Sequence, residues 1–128
     1  MVRGVRWLMV VLLALASGGC AILGGPPPAR HRVETGTASF YGARFDGRVT
    51  ASGVRYDSSK MLAAHRSLPF GTKVRVTHLG NRRSVVVTVV DRGPYRRGRV
   101  IDLSRRAAGE LGFLRQGLAS VQIEVVED

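Results

Sequence analysis

The sequence predicts a small, mainly β domain closed into a barrel, and three observations predict it. First, two segments alternate apolar and polar residues with period two. In Thr72 to His78, Val74 and Val76 alternate with Lys73, Arg75 and Thr77; in Leu118 to Val126, Val121, Ile123 and Val125 alternate with Gln122 and Glu124. Second, a β-branched run from Val85 to Val90 stops at Asp91-Arg92-Gly93-Pro94. Third, turn signals recur between these segments, and only one stretch carries both a helix start and a helix stop. Several short strands with one short helix suit a closed barrel, which leaves no open sheet edge.

The elements follow in order. Residues 1–19 read as a signal peptide. Arg3 and Arg6 give a positive start, and Trp7 to Ala16 is an apolar run too short to cross a bilayer. Small residues then lead to Cys20, the single cysteine, in a pattern that resembles a bacterial lipobox, although Ser17 stands where that pattern prefers Leu. The expectation is lipidation at Cys20, followed by a Gly- and Pro-rich linker, residues 20–33, that spaces a domain of residues 34–126 from a membrane.

Thr35 to Tyr41 reads as the first strand. Gly42 to Lys60 is a long polar loop with turn signals at Asp46-Gly47 and Ser52-Gly53, and a loop of that length in a compact domain is usually functional. Met61 to His65 reads as one helical turn and Leu68 to Gly71 as a turn. Gly80-Asn81 marks a hairpin before Ser84 to Val90, a strand expected to be buried on both faces or nearly so. Arg99 to Leu103 is a short strand. Ser104 is placed to cap a helix over Arg105 to Leu111, and Gly112 ends it.

Composition narrows the partners. The 128 residues carry a formal net charge of +11, and 18 of the 20 basic residues are arginines. An exported basic domain is drawn to anionic polymers of the cell envelope, and export argues against nucleic acid. One cysteine excludes an internal disulfide and a cysteine-based metal site. The three histidines, His31, His65 and His78, are too scattered to suggest a cluster.

The ordered set Gly36 to Gly42, Phe45 to Arg48, Thr50 to Gly53, Tyr56-Asp57, Ala63 to His65, Leu68-Pro69, Val89 to Pro94 and Gly98 to Ser104 closely resembles the RlpA, or rare lipoprotein A, family over about residues 34–126. The resemblance implies a six-stranded double-psi β-barrel, a fold shared with expansins. It also implies an endolytic peptidoglycan lytic transglycosylase, which cleaves peptide-poor glycan strands to 1,6-anhydromuramyl ends. That chemistry needs an acid for the departing glycosidic oxygen and a base for the sugar's own 6-hydroxyl, and it calls for no cofactor and no metal.

By the same resemblance Asp91 and His65 are the catalytic candidates, with His65 expected to bond Asp91 or a sugar hydroxyl. Tyr41, Tyr56, Arg92 and Tyr95 are the substrate-binding candidates, with Phe45 as a further stacking surface and Arg44, Arg48 and Arg96 as further partners for muramyl carboxylates. The family's second catalytic carboxylate, a Glu after the Thr-Ala-Ser-Gly turn, is replaced here by Val54, which cannot move a proton or carry charge. Asp46 and Asp57 lie in the same loop, but Asp57 matches a different family position. The alternative to an enzyme is therefore a non-catalytic, expansin-like lipoprotein that binds peptidoglycan glycan. Asp102 is expected to help cap the helix at Ser104.

The expected location is the cell envelope, with attachment to the membrane through the lipid. The expected partners are peptidoglycan glycan strands, with division or cell-wall machinery proteins as further candidates. Many relatives carry an appended SPOR domain; none follows the barrel in this sequence, which leaves septal targeting open.

Overall fold

A computed structural model describes residues 33–126. The expected signal peptide, Cys20 and all of the linker up to Arg32 lie outside the described residues. Six strands close a barrel in the order β1-β5-β2-β4-β3-β6. In chain order these are β1 (Val33–Phe40), β2 (Leu62–Ala64), β3 (Lys73–His78), β4 (Ser84–Asp91), β5 (Arg99–Leu103) and β6 (Ala119–Val125), with helix α1 (Arg105–Leu111) between the last two strands. The mainly β barrel expected from the residue pattern is the one observed.

Period-two alternation builds the interior. Val74 and Val76 from β3, Val87 and Val89 from β4, Ile101 and Leu103 from β5, and Val121 from β6 are fully buried in one cluster with Phe113. The barrel mixes pairings: β1 runs parallel to β5 and antiparallel to β6, and β2 runs parallel to β4 and antiparallel to β5. Gly36 permits one of the close approaches, because a Cβ there would overlap the side chain of Val100 on the neighbouring strand.

Three local expectations differ from the structure. Met61 to His65 is not a helical turn. Leu62, Ala63 and Ala64 form β2, buried throughout, with a strand on each side. The short apolar stretch carries no period of its own, so pairing decides its conformation. The β4 strand is not buried on both faces along its length, since Val86 is 38% exposed and only the end toward Asp91 is covered on both sides. Asp102 does not cap α1. Ser104 does so alone, accepting from the Ala107 amide at 3.3 Å, while its hydroxyl donates to the Lys60 carbonyl at 2.6 Å.

The long loop is built rather than loose. A 3-10 turn at Ala43–Phe45 leads into a narrow hairpin held by Gly47 N–H to Tyr56 C=O at 2.8 Å and Tyr56 N–H to Arg48 C=O at 2.7 Å, with a bridge between Val49 and Arg55. Its tip is the turn Thr50–Gly53. Gly53 adopts φ +93°, a left-handed conformation that costs glycine little. Beneath the loop, Tyr56, Leu62 and Val90 form a second small core, with Tyr41 and Phe45 packed against it.

Candidate functional site

The end of β4 carries the site. Asp91 is its last residue, part-buried, and its two carboxylate oxygens face different partners. Oδ2 accepts from the Tyr41 hydroxyl at 2.5 Å, and Oδ1 accepts from the Ala51 amide at 2.9 Å. The Ala51 amide points there because the loop tip is tied to β4 itself, with Ser52 N–H donating to the carbonyl of Val90, the residue before Asp91, at 3.1 Å. Tyr41 follows β1 directly, and its backbone amide is bonded to the Leu103 carbonyl at 3.0 Å.

Around Asp91 lies a cavity of about 220 Å³ lined by Tyr41, Phe45, Arg48, Val49, Thr50, Tyr56 and Asp91. Tyr41 stacks on Tyr56 with ring centroids 4.6 Å apart and meets Phe45 edge-on at 5.6 Å. The Arg44 and Arg48 guanidinium groups stand over the Phe45 ring at 4.9 and 5.5 Å. Burial first, and then the bond to and charge of Asp91, push the Tyr41 hydroxyl well above the ordinary tyrosine range. Burial also raises Tyr56, partly offset by the Arg105 amide that donates to its oxygen.

The expected site residues divide between two regions. Asp91, Tyr41 and Tyr56 come together, with Arg48 and Phe45 beside them. Tyr41 contributes a hydroxyl to Asp91 rather than an open ring face. Tyr56 is only 3% exposed, its ring covered by Tyr41 and its hydroxyl engaged by Arg105, so it supports the groove wall. Tyr95 is 74% exposed and stands outside the cavity lining. Arg92 turns away from the groove: its Nη1 donates to the His65 and Leu68 carbonyls at 3.2 and 2.8 Å, and its guanidinium lies 4.0 Å over Phe70.

His65 is not brought to the Asp91 carboxylate. Its ring is 4% exposed, with Nε2 3.0 Å from Glu34 Oε1, while Nδ1 accepts from the Ser67 and Leu68 amides at 3.1 and 3.2 Å. With Nδ1 accepting twice, the hydrogen-bond pattern assigns the proton to Nε2, directed at Glu34. The ring borders a separate cavity of about 540 Å³ with Val33, Glu34, Arg66 and Ser67. The link to Asp91 is through the backbone alone, His65 N–H donating to the Asp91 carbonyl at 3.1 Å.

Val54, which stands where the family resemblance led us to expect a Glu, is 49% exposed. Its carbonyl accepts from the Thr50 amide at 2.8 Å and the Thr50 hydroxyl at 2.6 Å, so its backbone closes the loop tip that presents Ala51 to Asp91. The two nearby acids bond within the loop itself. Asp46 accepts from the Ser58 amide at 2.8 Å, and Asp57 is held below the ordinary carboxylate range by the hydroxyl and amide of Ser59. Among the described residues no three His, Cys, Asp or Glu side chains group so as to hold a metal ion.

The residues missed in sequence are Ala51 as an amide donor and Glu34 as the partner of His65. Asp102 Oδ1 accepts from the Ser39 hydroxyl at 2.5 Å and Arg99 Nη2 at 2.6 Å.

Comparison with known proteins places these features. The model of a family described as lytic transglycolase matches residues 33–123. A Nostoc protein named probable endolytic peptidoglycan transglycosylase RlpA is 60% identical over 93 residues, which are 71% of this chain and 25% of that protein. A Neisseria meningitidis endolytic peptidoglycan transglycosylase RlpA is 52% identical over 93 residues, 73% of this chain and 39% of that one. The chain thus spans between a quarter and two-fifths of the length of these relatives. Among solved structures, Streptomyces papain inhibitor is similar with a TM-score of 0.61 at 27% identity, over 76% of this chain and 96% of that one. A Clavibacter michiganensis expansin gives a TM-score of 0.61 at 24% identity, over 76% of this chain and 52% of that one, a likeness of fold alone.

Proposed function

This chain belongs to the lytic transglycolase family, and on that premise we propose that its barrel is an endolytic peptidoglycan lytic transglycosylase acting on peptide-poor glycan strands. The observation that carries the reading is the Asp91 carboxylate, fixed by Tyr41 and Ala51 at the end of β4 and opening into an aromatic cavity edged by Arg48. In this reading Asp91 is the group that gives a proton to the glycosidic oxygen as the bond from C1 to that oxygen breaks. The muramyl 6-hydroxyl oxygen then bonds C1, and its proton passes to Asp91, restoring the acid. The Tyr41 hydroxyl and Ala51 amide hold the ionised carboxylate between the two transfers. Arg48 is placed for a muramyl lactate carboxylate.

His65 enters this reading as a positioning residue. It braces β2 against β4 and the segment at Ser67-Leu68 rather than moving a proton.

A second reading is favoured by Val54. Without the family's Glu the groove binds glycan and does not cut it, as an expansin-like module would. Incubating the purified chain with peptide-free glycan strands and measuring 1,6-anhydromuramyl ends by mass spectrometry separates the two. The enzyme reading expects ends from the wild type and none from Asp91→Asn. Glycan retained but never cut favours the binding module, and cleavage that survives Asp91→Asn removes Asp91 from the chemistry.

The proposed setting is the cell envelope, with the domain held at the membrane by a lipid on Cys20. Growth with labelled palmitate should label the wild type and leave Cys20→Ser unlabelled.

A further inference from the structure

A third cavity lies on the far side of the long loop and takes no part in the chemistry at Asp91. It measures about 330 Å³ and is lined by Asp46, Gly47, Arg55, Tyr56, Asp57 and Lys60. We propose that this cavity binds the charged stem peptide that peptidoglycan carries on its muramyl residues, through the peptide's ammonium and carboxylate groups. The inference rests on peptidoglycan as the polymer, and it does not require the polymer to be cut.

The pattern of charge carries it. Two acids and two bases share the wall, yet none of the four enters an ion pair among the described residues. The loop's own bonds hold them in place. Asp46 Oδ1 accepts from the Ser58 amide at 2.8 Å, and Asp57 Oδ1 accepts from the amide and hydroxyl of Ser59 at 2.9 and 2.6 Å. Arg55 Nη1 donates to the Gly47 carbonyl at 2.9 Å. Each carboxylate keeps an Oδ2 that accepts no hydrogen bond among the described residues. Opposite charges fixed on one concave surface without neutralising each other suit a ligand that carries both signs. A purely anionic ligand would be repelled by Asp46 and Asp57. A stem peptide fits: its carboxylates meet Lys60 and Arg55, and the free amine of its diamino residue meets the two acids.

The position fits the same polymer. Arg48, Val49 and Thr50 on one side of the narrow hairpin line the Asp91 cavity, while Asp46, Gly47 and Arg55 line this one, and Tyr56 lines both. The bond from Gly47 N–H to Tyr56 C=O, 2.8 Å, closes the hairpin between them. Two paired strands are about 4.8 Å apart, so a peptide has only the width of the hairpin to cross. A bare muramyl residue can lie in the groove while the stem of a neighbouring residue reaches over the loop. Exposed ion pairs are individually weak, so the free peptide binds with a Kd on the order of 1 mM. On a strand already seated in the groove the stem arrives at an effective concentration in the same range, which is enough to bias where along the strand the domain sits.

The test is a titration of the isotope-labelled chain with N-acetyl-L-alanyl-γ-D-glutamyl-meso-diaminopimelate at low salt, followed by amide chemical shifts. The expected result is saturable shifts at the Gly47, Tyr56 and Lys60 amides, with a Kd on the order of 1 mM. Amidating the carboxylates of the peptide, or acetylating its free amine, should each weaken binding about fivefold. Lys60→Glu should weaken it by a similar factor, since the side chain changes and the backbone bonds of the loop remain. Arg115→Glu makes the same change in net charge outside the cavity and should stay within about twofold of wild type. If Lys60→Glu does not fold, the modified peptides decide on the wild type alone. Absence of a saturable shift overturns the proposal, as do equal shifts from the peptide with all its charges blocked, or equal losses in Lys60→Glu and Arg115→Glu. A chain that binds the peptide and makes no anhydromuramyl ends overturns the lytic reading and leaves this site standing. A chain that cuts glycan and does not bind the peptide overturns this site alone.

Discussion

The Tyr41 hydroxyl donates to Asp91 Oδ2 across fifty positions of sequence, and the ring that carries it is clasped between Tyr56 and Phe45. The stack fixes the ring, the ring fixes the hydroxyl, and the hydroxyl fixes one carboxylate oxygen. The Ala51 amide fixes the other, so the orientation of Asp91 is set from two separate elements.

Tyr41→Phe tests that clasp, since it keeps the stacked ring and deletes the donor. A hydrogen bond to a charged group is worth about 1.5–3 kcal/mol, so turnover should fall by roughly ten- to a hundredfold if the bond is equally needed in the transition state. The stability effect has a definite sign. Tyr41 is raised in the folded chain, so the folded state holds this proton more tightly than the unfolded state does. Its contribution is complete below the ordinary tyrosine value of 10.0 and is lost as pH climbs from there through the raised folded value. Thermal melts at increasing alkaline pH should show wild type losing its advantage over Tyr41→Phe.

Val54→Glu should raise turnover on the order of 100-fold, the usual scale for a placed acid or base. The change is cheap for the fold. The bonds that shape the loop tip involve the Val54 backbone, and its side chain is half exposed, so stability should move by less than about 0.5 kcal/mol. Rates of anhydromuramyl release from the two proteins, measured side by side, settle it. Equal rates would mean that the groove already has the charge it needs.

Much of this architecture could be read in the residues. Alternation at Val74 and Val76, the β-branched run to Asp91, and Ser104 ahead of a short helix each report a local rule that tertiary structure leaves in force. What escaped were relations between distant segments. Leu62 to Ala64 shows no strand pattern because both its faces and both its edges are covered, so nothing in the residues alternates. The Glu34 partner of His65 and the Ser39 and Arg99 partners of Asp102 come from other strands, and spacing in sequence holds no trace of a barrel register. Tyr41 and Tyr56 looked like platforms for sugar because they are aromatic. Their coverage by each other could be seen only once the loop was folded back.

His65 gives a prediction that separates support from chemistry. Replacing it with Ala strands two backbone amides, at Ser67 and Leu68, and frees the Glu34 carboxylate. Each unsatisfied buried group costs about 1–3 kcal/mol, so the unfolding midpoint in urea should drop clearly. Turnover per folded molecule should fall far less than in Asp91→Asn. His65→Asn, with a side-chain oxygen that can accept from nearby amides, should recover part of the stability. An equal collapse of turnover in fully folded His65→Asn would return the imidazole to the chemistry.

Charge should govern how the chain meets its polymer. With a net charge of +11 and Arg48 at the groove, attraction to a glycan bearing carboxylates has a diffuse part and a local part. The diffuse part is screened over about 10 Å at 0.1 M salt and over about 3 Å at 1 M, so sedimentation with purified sacculi should weaken steadily as salt rises. The local part resists, because a guanidinium in direct contact with a carboxylate is closer than the screening length. Arg48→Gln should therefore cost more affinity at high salt than Arg115→Gln, an exposed arginine outside the groove lining, although both remove one charge. Equal losses from the two at every salt concentration would show that only total charge counts, and that the aromatic cavity beside Asp91 is not where the glycan sits.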